Sequence, residues 1–319
     1  MKILKEKLKH LKGRALKLMR KVKVFSPAHI TSIFTVEDNS DPLRKGSRGV
    51  GVTLNRGVWT ELEVEPSSRW RVNVRGLGSK IKGEVSRKVV EILKPKISKP
   101  YHVHITHRFE VPVGAGYGTS GGGSLGVALA LNETLNLDLS LLEAANIAHL
   151  AEVECMTGLG TVLAETYGGF SLRVKAGAPS LGVVKKFKAE GFRVVSLCWG
   201  SLPTHGVLSN PALKGFIKRV GEGCLEKFAG NPTVEGFLEV SKDFSETLGL
   251  PSQKVREALS FLTLKGFKDF SMNMLGEAVF TLIQEEELPR LLKALNHPLF
   301  EDCQLTVSKI SGKGVRFES

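Results

Sequence analysis

Apolar positions change period along this chain, and the changes outline its elements. From Val22 to about Thr106 the pattern is mostly that of strands. Val50–Leu54, Trp59–Val64 and Trp70–Val74 carry β-branched and aromatic residues, with glycines and Pro66 between them. Ile81, Val85, Val89, Ile92 and Leu93 break in with helical spacing, stopped by Pro95. Residues 101–106, Tyr-His-Val-His-Ile-Thr, alternate again. A glycine-rich turn over 112–123 then leads into an apolar helix reaching about Leu135, and a second helix is expected over about 140–156. Thr157-Gly-Leu-Gly160 forms a turn before a further local helix or loop, and 169–174 reads as a strand.

Strand patterns follow at 183–187 and 192–197, and helical ones at about 211–228, 233–248 and 252–264. The tail holds an apolar strand at 278–283, a helix from about Glu286, and short strands at 305–310 and 315–317. Strands and helices are grouped rather than strictly alternating, which is the α+β pattern. The division between two domains is expected within 174–190, giving residues 19–175 and 176–319. No internal period marks a repeat protein.

Residues 1–18 stand apart as a basic extension. Leu4, Leu8, Leu11, Ala15 and Leu18 fall near one helical face among seven Lys and Arg and one Glu. A membrane-surface or nucleic-acid arm is one reading. The plainer readings are a solvated appendage, or a start codon placed upstream of a natural start at Met19. This segment supplies nearly half of the net charge of +13 (45 Lys and Arg against 32 Asp and Glu). The remaining excess suits anionic small molecules, so neither a nucleic-acid partner nor a membrane partner is expected.

The length of 319 residues fits two domains with a core each. Four cysteines without CxxC spacing argue against structural zinc and disulfides. Free thiols, no membrane-spanning run and no signal-peptide core point to a cytoplasmic protein. Only three glutamines beside abundant Lys and Glu hint at a thermophilic source.

The chemistry concentrates in Pro112-Val-Gly-Ala-Gly-Tyr-Gly-Thr-Ser-Gly-Gly-Gly123. Glycines let the backbone approach a ligand, and the helix behind them aims free N–H groups and its positive end at the loop. That combination suits phosphate. The hydroxyls of Thr119 and Ser120 add donors. Neither a Walker loop, a dinucleotide fingerprint nor a protein-kinase signature is present.

This segment resembles the central motif of the GHMP kinase superfamily, written P-x-x-x-G-L-G-S-S-A-A. Phe25-Ser-Pro-Ala-His-Ile-Thr31 resembles the family's first strand motif. Ala148-His-Leu-Ala-Glu152 with Thr157-Gly-Leu-Gly160 resembles its acidic helix and following loop. Ser271–Phe280 resembles a variant of its third motif. Together with Asp41–Gly49, these blocks are most similar to the archaeal pantoate kinases, from about residue 20 to the end. The resemblance implies a two-domain fold: a ribosomal protein S5 domain 2-like N-terminal domain and a ferredoxin-like C-terminal domain. It implies ATP and Mg²⁺ as cofactors, with pantoate phosphorylation to 4-phosphopantoate, in archaeal coenzyme A synthesis, as the activity. Homoserine- or mevalonate-type kinases and a weakly catalytic nucleotide-binding paralogue are the alternatives. A homodimer is a family-level expectation.

By the same resemblance, Pro112, Gly114, Ala115, Gly116, Tyr117, Gly118, Thr119, Ser120 and Gly121 hold the nucleotide. Ser120 and Glu152 hold the metal, and Mg²⁺ favours such hard oxygens. Ser47, His149 and Arg173 go to the acid, and a guanidinium fork matches a carboxylate. On their own, Glu152 would read as a solvated helix carboxylate, His149 as a structural histidine, Arg173 as a surface arginine and Ser47 as turn chemistry.

Two places in the chain depart from the family. Thr161 stands where Asp, the expected base, is usual, and a hydroxyl is no base near neutral pH. Either phosphoryl transfer here needs little base assistance, or Glu165, four residues on, serves in reserve. Gly121 and Gly122 replace the Ala pair, which weakens the helix start but keeps the backbone open.

Overall fold

The computed structural model describes residues 21–201 and 211–318. The basic extension over 1–18 lies outside the described residues.

The chain opens with two long strands, β1 (Val22–Phe34) and β2 (Gly49–Pro66), paired antiparallel with irregularities after Pro27 and Thr31. Then come β3 (Arg71–Leu77), α1 (Glu84–Leu93) and β4 (Tyr101–Phe109), with β3 and β4 parallel. The order β11-β1-β2-β4-β3 forms the main path of the first sheet. β5 (Phe170–Lys175) pairs with the start of β2, β6 (Val183–Phe187) with β5, and the final β11 (Arg316–Phe317) with β1.

Three helices cover one face of this sheet: α1, α2 (Thr119–Leu135) and α3 (Leu141–Glu154). α2 is apolar on nearly every side and is buried accordingly, against β1, β2 and its two neighbours. Ser140 and Glu143 form a capping box that starts α3, a contribution of about 1 kcal/mol. The short α4 (Thr161–Tyr167) follows and packs on α2 and β1.

The second sheet has the order β10-β7-β9-β8, all antiparallel. Its strands are β7 (Phe192–Ser201), β8 (Ser271–Met272), β9 (Gly276–Gln284) and β10 (Gln304–Lys309). Helices α5 (Pro211–Gly230), α6 (Val234–Thr247) and α7 (Gln253–Leu264) lie between β7 and β8, and α8 (Leu288–Leu295) between β9 and β10. This β-α-β-β-α-β succession is ferredoxin-like. Most observed elements match the expected ones to within a few residues, but the strand patterns at 50–54 and 59–64 run together as the single β2, and the short β8 has no counterpart among the expected strands.

One apolar cluster joins α1, α2 and α3 to the first sheet through residues such as Leu62, Val89, Val103 and Leu129. The other runs from Ile30, Ile33, Val52 and Phe170 of the first sheet into Phe228, Phe237, Phe244 and Phe280 of the second. The ends of β1 and β5 are therefore held by packing from both sheets.

Candidate active site

The glycine-rich segment sits where the two sheets meet. Three of its glycines, Gly114, Gly116 and Gly118, have positive φ. The turn is clamped from both sides. His29 N–H donates to Tyr117 O at 3.0 Å, and Asn273 Nδ2 donates to Ala115 O at 3.0 Å. Asn273–Gly276, within the variant third motif, thus packs directly on the loop. α2 starts at Thr119 with Gly118 as its N-cap and no side-chain cap, so its first N–H groups remain available to an anion.

Two cavities flank this helix start, and Gly114, Thr119 and Ser120 line both. One, about 310 Å³, is walled by Lys80, Lys82, Ile81, Phe109 and Val113. It joins two ammonium groups to apolar surface. The other, about 140 Å³, is enclosed by β1, the 35–48 loop, the 157–161 turn, β5 and the Met274–Leu275 turn. His29, Thr31, Ser47, Glu152, Thr161 and Arg173 all reach its wall.

Glu152 lies at the C-terminal end of α3 and is buried. Its carboxylate accepts hydrogen bonds from the Ser120 hydroxyl and from Thr157 Oγ1 (2.9 Å). Burial raises its pKa above the ordinary carboxylate value, and the two hydrogen bonds hold it back down. Gly158 passes so close over this carboxylate that a Cβ there would collide with it. Ser120, Thr157 and Glu152 offer hard oxygen atoms on one side of the helix start, a donor set that fits Mg²⁺.

Arg173 is 1 % exposed, and its Nε donates to Ser47 O at 3.3 Å. Its Nη1 has no hydrogen-bond partner. Burial lowers its pKa to about 10, so it remains a cation at neutral pH. A buried guanidinium with a free donor is costly unless an anion completes it. Ser47 is also buried, and its hydroxyl donates to Arg48 O at 2.9 Å.

His149 is placed differently from the expectation. Its ring is buried off the cavity wall, with Nε2 at 3.2 Å from Pro42 O and 3.0 Å from Lys45 O. It fixes the loop that carries Ser47. The helical spacing that puts His149 and Glu152 on one face is present, but the 41–49 loop lies over the imidazole. Pro112 and Ala115 also stand off the wall; Ala115 is buried against Asn273 and Gly276.

Thr161 opens α4 at the cavity wall, with Gly160 as N-cap. Glu165 lies one turn on and is fully buried, with neither carboxyl oxygen hydrogen-bonded. Burial, and then the Glu152 charge, pushes its pKa well above the ordinary range. It sits under the helix start: a Cβ on Gly118 would lie 2.5 Å from Glu165 Oε1, and one on Gly121 3.1 Å from Oε2. Helix α4 thus puts Thr161 and the reserve carboxylate Glu165 beneath the phosphate-type loop, with only Thr161 on the cavity wall.

Sequence reasoning gave His29 no role. It is 1 % exposed, with Nδ1 at 3.0 Å from Thr31 Oγ1 and Nε2 unpartnered at the cavity wall. Burial, and then the Arg173 charge, holds its pKa well below the ordinary histidine value, so the ring is neutral. Its place in the Phe25–Thr31 block was the available signal. Lys80 and Lys82 were missed because nothing in the local pattern ties them to a loop thirty residues away.

Residues 84–169 match the GHMP kinases N terminal domain. The pantoate kinase of Methanocaldococcus jannaschii is 34% identical over 276 residues, 86% of this chain and 98% of the relative. The pantoate kinase of Thermococcus kodakarensis is 32% identical over 283 residues, 87% of this chain and 93% of the relative. A solved structure described as a phosphotransferase related to the CoA biosynthesis pathway superposes with a TM-score of 0.83 at 29% identity, covering 93% of this chain and 98% of that one. With a fold and a length that correspond and 32–34% identity over most of the chain, the chain belongs to the pantoate kinase family of GHMP kinases.

Proposed function

We propose that this protein transfers the γ-phosphoryl group of ATP to the primary hydroxyl of pantoate, yielding 4-phosphopantoate. The observation that carries the reading is the buried Arg173 guanidinium, with a free Nη1, in a small cavity that shares the start of α2 with a second, lysine-lined cavity. A carboxylate answers the unpaired guanidinium and seats a hydroxy acid beside the helix start. The second cavity takes the nucleotide, with its apolar wall toward the base and Lys80 and Lys82 toward phosphate.

The first N–H groups of α2 and the hydroxyls of Thr119 and Ser120 hold phosphoryl oxygens in place. Glu152 and Ser120 would hold Mg²⁺, which would supply charge neutralisation for the transferring phosphoryl group. Arg173 fixes the acceptor, while His29 and Ser47 offer hydrogen bonds to its second hydroxyl. The acceptor oxygen forms its bond to the γ-phosphorus as the bond to the ADP oxygen breaks. Its hydroxyl proton passes late to an oxygen of the transferred phosphoryl group and from there to solvent, without a carboxylate base at position 161, in line with a loose transition state that asks little of a base.

A coupled assay of ATP consumption across pantoate, homoserine, mevalonate and shikimate tests the proposal. Turnover with pantoate is expected. Turnover with another acceptor but not with pantoate overturns the acceptor, and ATP binding with no turnover on any of the four overturns the activity.

A further inference from the structure

The alternating stretch 101–106 has a consequence outside the active site. Val103, Ile105 and His107 of β4 face the helices, so His102 and His104 share the opposite face of the sheet. In the β2 ladder, Glu65 lies directly across from His102 and Glu63 from His104. On the other side, Asn73 of β3 lies across from His104, and its Nδ2 is 3.1 Å from His102 Nε2. The two imidazoles lean together, with ring centroids 3.9 Å apart. One ligand atom from each of Glu65, His102 and His104 lies within 4.8 Å of the others. All three side chains are half-buried, and neither the Glu65 carboxylate nor the His104 ring has a hydrogen-bond partner among the described residues.

We propose that Glu65, His102 and His104 form a binding site for a divalent first-row transition cation, represented by zinc. Two imidazole nitrogens are ligands that such ions favour and that Mg²⁺ does not, while the carboxylate oxygen suits either. Neighbouring ligand atoms in a tetrahedral zinc site stand about 3.3 Å apart, given bond lengths of about 2.0–2.1 Å. Closing from 4.8 Å therefore needs only small side-chain rotations on an open sheet face, without backbone movement. Glu61 and Glu63, on the same face of β2, pair with Lys21, and Arg75 borders a hollow of about 280 Å³ over Glu65 and His104 that leaves room for a water as fourth ligand. The ion would tie β2 to β4 across the sheet, on the side away from α2 and the kinase site. Its role is to pin strand register rather than to touch phosphate.

The test is equilibrium dialysis of the full chain against zinc chloride, with excess magnesium chloride to occupy hard-oxygen sites. Cobalt(II) spectra serve as the second readout. One zinc per chain is expected. The E65Q variant should bind about 10–100-fold more weakly, and the H102A/H104A double variant should lose the site and the cobalt d–d bands. Circular dichroism and Mg-ATP turnover should stay as in the unchanged protein, because these side chains lie on the exposed face away from the cleft. Zinc uptake that persists undiminished in the double variant places the ion elsewhere, on cysteines or Glu152, and overturns the proposal. So does an unchanged protein that takes up no zinc.

Discussion

Replacing Gly118 by Ala tests how tightly α4 is packed against the start of α2. Gly118 has φ +71°, and its Cβ would stand 2.5 Å from Glu165 Oε1 and closer still to Thr161 Cγ2. Forcing a side chain into the left-handed region costs about 1–2 kcal/mol, and overpacking adds about 1–3 kcal/mol. The loss should be about 2–5 kcal/mol. Gly121 is the internal control. It is helical, its Cβ would meet Thr161 Cγ2 and Glu165 Oε2 at 3.1 Å each, and Ala there gains about 1 kcal/mol of helix propensity. Gly121→Ala should therefore stay within about 1 kcal/mol of the unchanged protein. Pairing it with Thr161→Ser, which removes Cγ2, should turn the change favourable. Urea midpoints measure all three, and the KM for ATP should rise with Gly118→Ala. If Gly118→Ala is as stable as the parent, or if the two alanines are equally damaging, the packing argument fails.

Arg173→Lys should raise the KM for pantoate by about 100-fold or more while leaving that for ATP nearly unchanged, since one ammonium cannot replace the fork; equal effects on both substrates would contradict an acceptor role. Thr161→Asp should change kcat by less than about tenfold, whereas a rise of about 100-fold would show that base assistance limits the present enzyme. Glu165→Gln should leave turnover nearly intact. The folded-state pKa of Glu165 is raised, so its contribution to stability is present below the ordinary carboxylate value and is lost as pH rises through the raised one. The Gln variant should lack that decline in urea titrations across pH; a large fall in turnover would instead make Glu165 a base. His107, hydrogen-bonded to Thr60 and Ser86 and lowered by burial from 6.5 to about 4, has the opposite sign. Its contribution is present above pH 6.5 and is lost as pH falls toward 4, a span worth about 3 kcal/mol that His107→Gln should remove from the pH dependence.

Much of this protein is local in origin. The switch from period two to helical spacing after Phe109, the glycines ahead of an all-apolar helix and the capping Ser140 are properties of contiguous residues, so sheet, helix and phosphate-type loop were legible from the chain alone. Glu152, Arg173 and Ser47 were legible only through resemblance, because nothing within a few residues of each distinguishes it from a surface side chain. Tertiary structure decided the rest. The 41–49 loop folds over His149 and turns an expected acceptor contact into a loop anchor. The 27–31 segment of β1 brings His29 to the cavity wall beside Arg173, 144 positions away in sequence. Asn273 and Gly276 reach back to close the glycine turn. Helical period placed Glu165 on the same side of α4 as Thr161, but only the packing of α4 under α2 leaves its carboxyl buried and without a partner. Burial and pairing are sums over distant segments, and they set the charge states on which the chemistry of the site depends.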